Sequence, residues 1–215
     1  MSQSNVFSKI KKEPQGYIAL FSLKNWWRDS FTDEERKHIV EVFQPLGAPR
    51  DSLVVGELQS SGNDRIVSFL SSLAGWFDNP RDRHIAHKII AKAADYVSSE
   101  NNILDLHFFY STRMKLFYRG REDPSALKEA TDACLKQIEI SGKAAAAFRE
   151  EFGDSQLPAH EGYEQFCIIL EKQGKFDEAI KCAEQAKRQG WRGDWDGRVV
   201  RCTKKLQKPL TKLIT

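Results

Sequence analysis

Between His160 and Trp191 the chain reads HEGYEQFCIILEKQGKFDEAIKCAEQAKRQGW, and this stretch constrains the fold more than any other. Tyr163, Phe166 and Leu170 recur at three- and four-residue intervals, as do Ala179, Ala183 and Ala186 after Phe176. That spacing places each set on one face of an α-helix. Gln173-Gly174-Lys175 interrupts the pattern, so the segment predicts two amphipathic helices that reverse at Gly174 and pack through these faces. Alanines on the second helix let the two axes approach closely.

The same periodicity runs through most of the chain. Thr32-Asp-Glu-Glu35 is a capping box, in which the threonine hydroxyl accepts from the amide three residues on and Glu35 reaches back. It starts a helix expected to reach about Gln44, ended by Pro45, Gly47 and Pro49. Ile66, Leu70, Leu73 and Phe77 form the next stripe, with Val67 and Ala74 beside it. Asn79-Pro80 predicts the cap of a helix to about Ser98 that buries Ala86, Ile89, Ile90, Ala93 and Val97. After Asn101-Asn102, Leu104, Phe108, Tyr110, Met114, Phe117 and Tyr118 occupy most of a helix circumference, as expected of an inner helix packed on two sides. Asp123-Pro124 opens a helix carrying Leu127, Ala130, Cys134 and Ile138, followed by an alanine-rich helix over 143–151 and a loop over 153–159. Only Gly16–Leu23 and Ser52–Leu58 have strand-like bulk, and both are short and interrupted. The fold class read from these patterns is all-α. The division expected is an aromatic-rich segment with one helix over 1–60 and a helical array over 61–215.

The segment 160–191 closely resembles a tetratricopeptide repeat, through the large residues of its first helix, Gly174 at the turn, Phe176 after it, and Ala179 and Ala186 at the helix contact. Cys167, Ala183 and Trp191 depart from the family pattern, which has glycine or alanine, a larger apolar group and proline there. A degenerate copy over about 104–141 matches Lys128-Glu-Ala130 and Cys134 to Asp177-Glu-Ala179 and Ala183, and Tyr110, Met114 and Phe117 to Tyr163, Cys167 and Leu170. The resemblance implies an irregular right-handed array of helical hairpins that binds a protein or peptide along its first helices, as an adaptor or scaffold. It implies a groove at Glu161, Glu164, Ile168, Glu171 and Lys172, whose acidic bias suits a basic or mixed peptide rather than a carboxylate-ended chaperone tail.

Charge supplies the rival reading. The net charge is +3, yet the stretch from Lys187 onward carries nine basic and two acidic residues. Asp194 caps a helix with Trp195, Val199, Cys202 and Leu206 on one face, and Arg198, Arg201, Lys204, Lys205 and Lys208 are expected on the other. Such a face either solvates the end of a stack or contacts nucleic acid. Trp26-Trp27 between Lys24 and Arg28 allows base stacking, a sealed helical end, or homodimerisation through the aromatic segment.

Little points to catalysis. His84-x-x-His87 lacks further metal ligands beyond Asp82 and Asp95, and there is no phosphate-cradling glycine loop or hydrolase signature. The four cysteines contain no C-x-x-C pair and read as reduced packing residues. No cofactor is expected, and a metal- or thiol-dependent enzyme ranks third. The longest apolar runs, such as Tyr17–Phe21 and Phe166–Leu170, are five residues, and the amino terminus lacks a secretion-type apolar stretch. A cytoplasmic protein that does not enter the membrane is therefore expected.

Overall fold

The computed structural model describes residues 13–59, 65–153 and 156–211, with side chains described to Gln207. It is all-α, with one very small sheet, and the chain divides into two compact units, Met1–Tyr96 and Val97–Thr215. The boundary thus falls well beyond residue 60. Among the described residues of the first sixty lie three helices rather than one: α1 (Gly16–Leu20), α2 (Lys24–Ser30) and α3 (Asp33–Val42). The first two are too short to display a helical period.

α4 (Ile66–Gly75) belongs to the same unit because Phe69 stacks on Tyr17 and Phe21, with ring centroids 5.2 and 4.8 Å away, and meets Phe43 edge-on. Val67, Leu70, Leu73, Ala74 and Phe77 are buried and Ile66 only partly so. α5 (Arg83–Ala94) packs against α4 and buries Ala86, Ile89, Ile90 and Ala93. Asn79 does act as a cap, but of the turn before the helix, its Oδ1 accepting from the amides of Arg81 and Asp82. The helix accordingly starts at Arg83, and Val97 lies in a separate 3₁₀ turn. The capping box at Thr32 and Glu35 is present at the start of α3.

The two strand-like segments meet, though not as a sheet. Gln15, Gly16, Tyr17 and Ile18 donate their amides to the carbonyls of Val54, Gly56, Ser52 and Leu53. These are the donors that a helix start leaves without intrahelical partners, so the turn over 52–56 caps α1 with main chain alone. The approach requires glycine. Gly16 has φ +57°, and a Cβ there would sit 2.2 Å from the carbonyl oxygen of Ser52.

The second unit contains α6 (Ile103–Tyr118), α7 (Pro124–Glu139), α8 (Ser141–Phe152), α9 (Glu161–Lys172), α10 (Phe176–Gln189) and α11 (Trp195–Thr211). Asn102 caps α6 and Asp123 caps α7, each through its side chain. The expected reversal at Gly174 is present, with φ +74°, and α9 packs on α10 through Tyr163, Leu170, Ala179, Ala183 and Ala186, all buried in one cluster. α6 and α7 form the preceding packed pair, and α9 lies against both α7 and α6. After Gly190 closes α10, β2 (Trp191–Arg192) pairs in parallel with β1 (Leu157–Ala159), within the stretch expected to be a plain loop. Trp191 therefore directs the chain back against the segment that precedes α9 instead of into a proline turn. Burial of Trp195 and Cys202 and partial burial of Val199 hold α11 on α10.

Replacing Gly16 by alanine is expected to destabilise the protein by at least about 2 kcal/mol, because left-handed strain adds to the clash with Ser52. Gly47, also at positive φ but with nothing within 4 Å of where its added Cβ would lie, isolates the strain alone. Urea midpoints should fall clearly further for Gly16→Ala than for Gly47→Ala, which is expected to cost about 1 kcal/mol.

Candidate functional site

α6 and α9 run in the same direction along one side of the second unit. Lys115 pairs with Glu161 at the start of α9 at 2.6 Å, and Ser111 donates to the same carboxylate. One turn further along α6, Lys172 at the end of α9 donates to the Tyr118 hydroxyl at 3.2 Å. Between the helices lies a groove of about 340 Å³ whose α9 wall is Glu161, Glu164, Gln165 and Ile168, and whose α6 wall includes Lys115, Tyr118 and Arg119, with Arg121 just beyond. Three of the five residues expected to form a groove thus come together there. Lys172 lies at the adjoining hollow beyond Tyr118.

Glu171 does not share that environment. Its side chain is 17 % exposed and forms an ion pair with Arg198, itself 13 % exposed. The pair joins α9 to α11. This also corrects the reading of the basic helix, because Arg198 points into the packing rather than outward. A long cation beside a half-buried carboxylate is worth more paired than solvated. Arg201 is half exposed and 3.3 Å from Asp194, and the ammonium of Lys205 sits 5.3 Å from the centre of the Phe176 ring. Lys204 is exposed, and the side chain of Lys208 lies outside the described residues. The groove, conversely, is less acidic than Glu161 and Glu164 alone imply. Its α6 wall brings the cations that a single-helix reading leaves out, and the helix spacing of Lys115 and Arg119 was the signal for them.

Behind the groove the walls are joined by buried polar groups. Gln137 Nε2 donates to the carbonyl oxygen of His107 at 3.0 Å and lies 3.2 Å from His107 Nε2. The carbonyl contact fixes this atom as the amide nitrogen, so its second hydrogen makes His107 Nε2 an acceptor and places the ring proton on Nδ1. His160 caps α9, its Nδ1 accepting from the Tyr163 amide at 3.1 Å, so its proton is on Nε2. The two imidazoles meet edge to face at 5.0 Å, and Trp191 stacks on His107. Burial pushes His107 down to about 4, against a small upward pull from Glu161. Burial, then the neighbouring His107, pushes His160 down to about 3. Both rings are neutral at pH 7. Protonating either would turn an acceptor into a donor facing a donor.

The remaining candidates fall into packing roles. All four cysteines are free and buried. Burial pushes Cys134 up to about 12, and the hydrogen bond to Cys167, followed by burial, raises Cys182 further. Thiols held protonated are poor nucleophiles; Cys167 is the exception in direction, lowered by its hydrogen bond with Cys182 against the effect of burial. His84 pairs with Glu35 at 3.0 Å, and no group of three or more His, Cys, Asp or Glu among the described residues is arranged to hold a metal ion. Trp27 is buried and Trp26 partly so, both against Phe31. No helix among the described residues is long and apolar enough to cross a membrane. Comparisons with protein-family models, with curated proteins and with solved structures found no match to this chain.

The histidine pair sets an acid limit on stability. An unfolded chain binds a proton on each imidazole near pH 6.5, while the folded rings refuse it until about 4 and 3. The unfolded state therefore holds more protons in that window, and stability falls as pH falls through it, by up to about 1.4 kcal/mol per pH unit for each ring. Above pH 6.5 neither ring contributes. Urea titrations between pH 6.5 and 5 should show this slope, and His160→Asn, which keeps a capping oxygen but takes up no proton, should remove about half of it.

Proposed function

We propose that this protein is a protein- or peptide-binding module, an adaptor or scaffold built as an irregular tetratricopeptide-like array, and that it acts by binding rather than by catalysis. The observation that supports this reading is the alignment of α6 and α9. They are the first helices of two successive packed pairs, and they run in the same direction with a groove between them. The groove is open and lined by both signs of charge, which suits an extended segment more than a small apolar ligand.

The partner proposed is a peptide of mixed charge, with basic groups toward Glu161 and Glu164 and acidic ones toward Arg119 and Arg121. Ile168 supplies the apolar contact between them. The pairing of Arg198 with Glu171 and of Arg201 with Asp194 leaves the carboxy-terminal helix with less free positive charge than its sequence suggests, so it is ranked below the groove as a binding surface. Four unpaired cysteines suit a reducing compartment such as the cytoplasm.

A displayed random-peptide library tests the reading. The wild-type chain should select a peptide family with both charges, and Glu164→Lys and Ile168→Asp should each weaken the selected peptides at least about tenfold, as loss of a central contact does. Lys181→Gln on the exposed side of α10 should leave them unchanged. Glu171→Lys is unsuitable, because it would break the pairing with Arg198. Selection of no peptide, or equal binding by all variants, would overturn the groove assignment.

A further inference from the structure

Tyr118 closes α6 at the point where the groove runs on into a second hollow of about 240 Å³, between the end of α6, the start of α7 and the end of α9. Three donors collect around it. Lys172 Nζ donates to the hydroxyl at 3.2 Å and lies 5.8 Å from the ring centre, which puts the ammonium beyond the oxygen rather than over the face. The hydroxyl accepts that bond and keeps its own hydrogen to give. The guanidinium of Arg121 covers the ring face, with Cζ 4.9 Å from the centre.

These cations are weakly neutralised. Lys172 forms no ion pair among the described residues. Arg121 has Glu122 at 3.9 Å, but that carboxylate is 93 % exposed and held by nothing else in the hollow. Leu127 and Ile169 provide an apolar floor, and the Gln173 carboxamide stands at the edge. Two cations and a hydroxyl thus stand beside an apolar floor. A phosphomonoester carries close to two negative charges at neutral pH and three acceptor oxygens. It can take a fork of bonds from a guanidinium while an ammonium and a hydroxyl serve the remaining oxygen. A carboxylate offers one charge and two oxygens, and would leave a donor unused.

We propose that the Tyr118 end of the groove binds a phosphomonoester, with Arg121, Lys172 and the Tyr118 hydroxyl as its donors. The proposal deepens the groove reading and rests on it for the peptide that would carry the phosphate. A free phosphate ester offers the same chemistry, and the test separates the two sources.

The test uses the full chain with two probes: phenyl phosphate, and a degenerate phosphoserine peptide library beside its unphosphorylated twin. Phenyl phosphate should bind saturably. Arg121→Gln and Lys172→Gln should each weaken it about tenfold or more, as expected for loss of a charge-assisted bond. Tyr118→Phe keeps the ring and should weaken it severalfold, while Lys181→Gln should match the wild type. Enrichment of phosphopeptides over their twins, lost in Arg121→Gln and in Glu164→Lys, supports a peptide-borne phosphate. Phenyl phosphate binding with the stated variant pattern but no binding of peptides from either library keeps the site, assigns it to a free ester and sinks the groove reading. Peptide binding indifferent to phosphate and to Arg121→Gln but lost in Glu164→Lys keeps the groove and overturns the phosphate site. Absence of saturable phenyl phosphate binding overturns it as well.

Discussion

The second unit depends on keeping two imidazoles neutral inside an aromatic shell. His107 sits mid-course on α6, His160 caps α9, Gln137 reaches from α7, and Trp191 closes the set from β2. Two bonded pairs orient the rings, because Gln137 spends both amide hydrogens on His107 and Tyr163 spends its amide on His160, while Gln137 Oε1, His107 Nδ1 and His160 Nε2 have no hydrogen-bond partner among the described residues. Burying such groups is costly unless they are bonded. Once bonded, they tolerate one arrangement of the four segments. The distance between the groove walls is therefore set from behind by the ring contact of His107 with His160, with α6 held on α7 by the Gln137 bonds, as much as by the apolar contacts of the helices.

Gly162 shows how tight this arrangement is. A Cβ there would come within 2.4 Å of Gln137 Oε1 and 3.3 Å of the Cys134 carbonyl oxygen. The absence of a side chain at the start of α9 lets that helix rest directly on α7, as the alanines of α10 let α10 rest on its other side. Small residues at 162, 179, 183 and 186 set the helix separations from both sides of α9.

The sequence made the regular parts legible because their signals are local. Period, caps and the Gly174 reversal are properties of a few neighbouring residues, and the helices at 33–42, 103–118, 124–139, 161–172 and 176–189 follow from them. Features that depend on distant partners were not legible. The five-residue helix at Gly16 exists because carbonyls some forty positions away cap it. Likewise Phe69 ties α4 to the first helices through Tyr17, Phe21 and Phe43, which displaces the unit boundary from 60 to 96. At the site, Glu161, Glu164 and Ile168 were legible from one helix, whereas the cations facing them come from another. Whether a charged side chain such as Arg198 looks outward is decided by the carboxylate that awaits it, here Glu171, and helical spacing alone carries no such information.

The parallel pairing of Leu157–Ala159 with Trp191–Arg192 fastens together the two ends of the hairpin that α9 and α10 form. A chain tied at its own entrance and exit behaves as a closed loop, so neither helix can fray from its terminus without first breaking the tie. Amide hydrogen exchange across 157–192 should for that reason proceed as one cooperative opening rather than as a gradient from either end. A force applied at the chain termini would bypass the loop until that short clasp gives way.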